Sequence, residues 1–126
     1  MPRSRLLKTT FVAILALIAA EIGLRVFLGM GTPPLSQADP DIGYLFQANQ
    51  DITRFGNRVI INEYHQRSEP LDDSKQYRIL MIGDSVTNGG VLTPHDQTIT
   101  ELLEKKLIDS GMDVEVLNAK LILACS

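Results

Sequence analysis

The side chains able to do chemistry cluster in one place. Asp84-Ser-Val-Thr-Asn-Gly-Gly90 is a polar, glycine-rich run directly after the apolar stretch Tyr77-Arg-Ile-Leu-Met-Ile-Gly83. Such a run can be no more than a tight strand-to-helix connection, or it can present a reactive group. It fits no phosphate cradle, because neither Gly-x-x-x-x-Gly-Lys-Ser/Thr nor Gly-x-Gly-x-x-Gly is matched. Elsewhere the reactive inventory is thin. One cysteine, Cys125, excludes an internal disulfide framework and every cysteine-rich zinc module, and His65 and His95 leave little material for a metal site. Neither a metal nor a cofactor is expected.

The elements around the run define its position. Tyr77–Gly83 is too short for a helix and apolar on both faces after Arg78, which predicts a buried parallel strand. The polar run then lies at that strand's carboxyl end, where open α/β sheets place their functional sites. Downstream, Ile99, Leu102, Leu103 and Leu107 fall at helical spacing, with Glu101, Glu104 and Lys105 assigned to solvent. Thr98 and Glu101 have the spacing of a capping box, and Gly111 is placed to end the helix. Val114-Glu-Val-Leu-Asn118 reads as a second strand. Strand, loop, helix, strand is a βαβ unit. The expected fold class is α/β: the opening part of a doubly wound, three-layer α/β/α domain.

Two segments precede it. Residues 1–31 carry Arg3, Arg5, Lys8 and Arg25 against Glu21 alone, whereas the remainder carries 8 basic and 14 acidic side chains. The apolar stretch from Thr9 to Met30 is about 33 Å long as a helix, enough to span a bilayer. Glu21 and Arg25, four apart, share a face and can pair. A small-residue cleavage site is poorly matched around Ala19 and Ala20, so residues 9–30 read as a retained anchor rather than a cleaved signal. The basic flank places the N-terminus in the cytoplasm and the acidic remainder on the extracytoplasmic side. Residues 32–76 are expected to be an extended, turn-rich lead-in, opened by Gly31-Thr-Pro-Pro34, with Arg58-Val-Ile-Ile-Asn62 as its one β-like run. The net charge of −3 argues against a nucleic-acid partner.

Ile82-Gly-Asp-Ser-Val-Thr-Asn-Gly89 at a strand end resembles the first signature block of the SGNH (GDSL-type) hydrolase family. Val59-Ile-Ile-Asn62 with Arg67, before Tyr77-Arg-Ile-Leu80, is similar to the lead-in of membrane-anchored members, as is the Glu21/Arg25 pair late in the anchor. Val86 stands where the family's eponymous leucine is. The resemblance implies a serine esterase. Ser85 is then the nucleophile and its own backbone N–H one oxyanion-hole donor, with Gly83, Asp84, Thr87 and Gly89 as supporting motif residues. The substrate is an ester of a small molecule, carbohydrate or lipid. A serine hydroxyl is a weak nucleophile until a base takes its proton. The oxyanion needs preorganised donors, each worth on the order of 10²–10³ in rate. The Gly-x-Ser-x-Gly elbow of α/β-hydrolases is absent, since Thr87 stands two residues after Ser85.

The pattern departs from the family after Ala119. Lys120 stands where the second block has its donor glycine, Leu121-Ile-Leu-Ala-Cys-Ser126 follows, and no Asp-x-x-His appears. His65 has Asn62 three positions earlier and His95 has Leu92, so both are read as surface histidines. The expectation is a truncated portion of the family's domain, with Ile79, Met81, Val116 and Leu117 uncovered and little hydrolysis by this chain alone. The alternative is an anchored remnant or binding module that keeps the start of the fold without chemistry.

Overall fold

The computed structural model describes residues 3–120; Cys125 and the tail from Leu121 to Ser126 lie outside the described residues. The chain is a mixed α/β structure with an N-terminal apolar helix. Helix α1, Arg3–Leu28, is long and apolar enough to cross a membrane and buries none of its spanning window against the rest of the chain. It ends at Gly29, whose φ of +62° and close approach to the Thr53 carbonyl leave no room for a Cβ. The helix therefore stops before the Gly31–Pro34 break expected from sequence. Arg25 Nε donates to Glu21 Oε1 at 2.7 Å, so the i,i+4 pair forms.

Residues 32–76 are more structured than the extended lead-in expected. They form two antiparallel hairpins, β1 (Ser36–Asp39) with β2 (Gly43–Phe46), and β3 (Gln50–Arg54) with β4 (Asn57–Ile61). Of these four strands only β4 was expected from sequence. Asp39 Oδ1 accepts from the N–H groups of Asp41 and Ile42 and closes the first turn. In the second, Asp51 takes two hydrogen bonds from the Arg58 guanidinium across the strands. Val59, Ile60 and Ile61 are buried and form one half of the core. Asn57 Nδ2 donates to the carbonyls of Val91 and Leu92 and pins this hairpin to the loop after the serine.

The second half of the core is the βαβ unit. Strand β5 (Tyr77–Gly83) pairs in parallel with β6 (Val114–Lys120), with Gly83 opposite Lys120. Between them come a single helical turn, α2 (Ser85–Asn88), a 3₁₀ turn at His95–Gln97, and helix α3 (Ile99–Asp109). Thr98 caps α3 by accepting from the Glu101 N–H, while its own N–H goes to the His95 carbonyl, so the capping box is one-sided. Gly111, in the left-handed region at φ +92°, follows the helix end.

The two strands differ sharply in cover. Strand β6 is buried from Val114 to Asn118, because α3 lies on one face and the chain around Tyr64–Asp72 on the other. Val116 and Leu117 are therefore covered, contrary to expectation. Strand β5 is parallel as expected but not buried: Ile79, Leu80 and Ile82 are exposed and Met81 is half-buried. The α3 faces are also reassigned. Ile99 and Leu102 are exposed, while Thr100 is fully buried and Glu101 and Glu104 are half-buried toward β6. Glu104 Oε2 accepts the Val116 N–H at 2.7 Å, so a carboxylate replaces a neighbouring strand on β6's outer edge.

Asn118, 0% exposed, ties these layers together. Its Nδ2 donates to the Thr87 carbonyl and Thr100 Oγ1, and its N–H donates to Ser68 Oγ. Replacing it removes donors from the part-buried Thr87 carbonyl and the fully buried Thr100 hydroxyl. Asn118→Ala is expected to lower the unfolding free energy by about 1–3 kcal/mol, read by urea unfolding of the full chain in detergent. An unchanged midpoint would contradict this account of the core.

Candidate functional site

Ser85 stands where the sequence places it, at the carboxyl end of a parallel strand. The connection is shaped by three local constraints. Gly83 is required because Thr87 folds back over it: a Cβ there would meet Thr87 Oγ1 at 2.1 Å and its Cβ at 2.5 Å. Asp84 caps the turn, its Oδ1 accepting the Val86 N–H at 2.8 Å. Gly89 ends the turn at φ +75°, its N–H donating to the carbonyls of Ser85 and Val86. These residues are the motif residues singled out from sequence, and each has a steric or hydrogen-bonding reason to be what it is.

The serine itself is exposed, between exposed Asp84 and Val86. As the first residue of α2, its N–H has no acceptor within the helix. Its hydroxyl has no hydrogen-bond partner among the described residues. Neither histidine supplies one. His65 is half-buried, with φ +63°, and its Nδ1 bonds to the Phe46 carbonyl at 2.7 Å. His95 is 8% exposed, with Nε2 at 3.6 Å from Glu69 and 3.5 Å from Glu101. The assignment of both as surface histidines is therefore corrected: each is turned into the chain by contacts with distant segments. Lys120, opposite Gly83, places its ammonium 5.3 Å from the centre of the Phe46 ring.

Sequence reasoning named Arg67 only as part of the lead-in and missed what it does. Arg67 is 1% exposed, and its guanidinium donates to the carbonyls of Asn88, Gly90 and Thr93. Asn62 prepares its approach. The Asn62 side-chain carbonyl accepts from the N–H groups of Tyr64 and Gln66, and its main chain bonds to Gln66 and His65. The resulting turn sends Arg67 inward, and the Arg67 N–H donates to the Asn118 carbonyl at 3.0 Å. Nothing local in the sequence separates this arginine from a solvated one; its partners lie over 20 residues away.

A cavity of about 350 Å³ lies among Ser68, Glu69, Asp72, Lys75, Glu101, Glu104 and Glu115, with Ser85 not among its lining residues. Among the described residues no three His, Cys, Asp or Glu side chains are arranged to hold a metal ion.

No family model, no curated protein and no solved structure matches this chain.

The electrostatics beside the cavity are distinctive. Burial raises the Glu101 carboxyl to about 7, and the nearby carboxylates of Glu104, Glu69 and Asp96 add to the effect, while the Arg67 guanidinium opposes it. Burial also lowers the His95 imidazole, against the pull of Glu69. An acid whose folded pKa lies above its unfolded value takes up a proton on folding. Its contribution is present below pH 4.5 and is lost as pH rises toward 7. The depressed His95 works in the other direction, losing stability as pH falls below 6.5. Glu101→Gln removes the first effect alone. The variant is expected to gain about 2 kcal/mol on the unmodified chain between pH 5 and pH 8, measured by urea unfolding in detergent. An identical pH dependence for the two chains would contradict the assignment.

Proposed function

We propose that the chain carries the first βαβ unit of a membrane-tethered serine esterase of the SGNH type, with Ser85 as nucleophile. The carrying observation is the exposed Ser85 at the N-terminus of a capped helical turn, beyond the carboxyl end of a parallel strand. In this reading, Ser85 Oγ bonds to the carbonyl carbon of an ester while its proton passes to a base. The ester C–O bond then breaks, the protonated alcohol leaves, and water hydrolyses the acyl-serine. The Ser85 N–H serves as one donor to the oxyanion. The base of the scheme is the imidazole of an Asp-x-x-His block, a role that His65 and His95 do not fill in their present contacts. The βαβ unit belongs, in this reading, to a three-layer α/β/α domain held on the extracytoplasmic side by α1, with its basic end in the cytoplasm.

A second reading, an anchored binding module without chemistry, is favoured by Lys120 standing opposite Gly83 where the family has a donor glycine. A fluorophosphonate probe separates the two. With solvent hydroxide in place of the base, Ser85 is expected to form a slow, stoichiometric adduct whose rate rises up to about tenfold per pH unit. The adduct is mapped by mass spectrometry on the full chain in detergent, and it disappears in Ser85→Ala. A folded chain that gives no Ser85 adduct at pH 9 supports the binding module instead.

A further inference from the structure

Arg67 is the largest fully enclosed side chain among the described residues, and its charge is not neutralised by a hydrogen-bonded carboxylate. Its Nη1 and Nη2 groups donate instead to three main-chain carbonyls, while Nε–H has no hydrogen-bond partner among the described residues. Asn88 is the last residue of α2, so its carbonyl is one of those a helix end leaves without an internal partner. A cation at that end satisfies the carbonyl and complements the dipole of the turn. The Gly90 and Thr93 carbonyls come from the loop that follows, so one guanidinium closes residues 88–93 into a ring around itself. Gly89 completes the fit, since a Cβ there would stand 3.1 Å from Arg67 Nη1. A lysine, with one ammonium on a flexible stem, does not reproduce a planar fork that bonds three carbonyls at once.

The grip is transmitted a short distance. The serine is three residues from Asn88 and belongs to the same helical turn, whose C-terminal carbonyl Arg67 holds and whose Thr87 carbonyl Asn118 holds. With the C-terminal end of the turn held at these two adjacent carbonyls and its N-terminal end capped by the Asp84 carboxylate on the Val86 N–H, the direction of the Ser85 N–H and side chain is fixed too. We infer that Arg67 is a positioning residue for Ser85, delivered from the lead-in segment to lock the loop that aims the nucleophile. This inference rests on the serine reading given above.

The experiment uses the full chain in detergent micelles, with Arg67→Gln and Arg67→Lys compared at a temperature where all three retain the same far-ultraviolet circular dichroism. Two measurements are made on each: amide hydrogen exchange across residues 84–94, and the rate of fluorophosphonate adduct formation at Ser85 at pH 9. In Arg67→Gln, exchange over residues 84–94 is expected to accelerate at least tenfold, with β3, β4 and α3 little changed, and labelling to slow at least tenfold. Arg67→Lys is expected to be intermediate in both, and remains the test if the glutamine variant fails to fold. Unchanged exchange over 84–94 would overturn the inference, because the loop would not depend on the guanidinium. Faster exchange with unchanged labelling would overturn it too, leaving a purely structural clamp. Failure of the unmodified chain to label defeats the serine reading itself and the positioning role with it, a result told apart from the others because it precedes any substitution.

Discussion

A guanidinium withdrawn from water and ringed by peptide carbonyls is the constraint on which the rest of this structure depends. Removing a charge from water costs several kcal/mol unless fixed dipoles replace its hydration. Arg67 obtains them from Asn88, Gly90 and Thr93, three carbonyls that lie together only when the loop after the serine is wound tightly. Enclosure also needs the Asn62 turn on one side and the end of β6 on another, where the Arg67 N–H meets the Asn118 carbonyl. Three segments thus converge on one residue. The Glu101 carboxylate, on α3, adds a longer-range attraction that counters the desolvation.

The sheet is asymmetric for a related reason. Strand β6 is covered on both faces, and its outer edge is already spent on Glu104, Ser68 and Arg67. Strand β5 has β6 on one side and exposes Leu80 and Ile82 on its face. Burial energy is therefore concentrated in Val114, Val116 and Leu117 and in the β4 residues Val59 to Ile61, each contributing roughly 1.5–3 kcal/mol. The serine lies at the end of the less covered strand, and the polar network around Arg67 and Asn118 holds what apolar packing does not.

Much of this was legible in the sequence where the signal is local. Tyr77–Gly83, Val114–Asn118 and the Thr98-to-Gly111 helix follow from apolar runs, a capping threonine and a terminating glycine. The need for glycine at 83 and 89 agrees with the motif. Strands β1, β2 and β3 were not read: Ser36-Gln-Ala-Asp39 and Gln50-Asp-Ile-Thr-Arg54 carry little apolar alternation, Gly43-Tyr-Leu-Phe46 is only four residues long, and each exists through pairing with its hairpin partner. The inward faces of Glu101 and Glu104 were hidden for a similar reason. A carboxylate among leucines reads as solvated until the strand whose N–H it accepts is in place. The burial of His95 and Arg67 is likewise set by partners distant in sequence.

Helix α1 ends against the β3–β4 turn, where the Phe55 N–H donates to the Leu28 carbonyl, so this helix leads directly into the folded part. Residue 85 is exposed, and we propose that it faces the side of the bilayer opposite the basic N-terminus. This central claim is tested most directly by giving Ser85→Cys, in a Cys125→Ser background, a membrane-impermeant maleimide added outside intact cells. The account predicts rapid modification from outside, with Asn118→Cys in the same background left protected in the folded chain. A thiol at 85 that is shielded while the chain is folded, or that reacts only after the cells are opened, would contradict it.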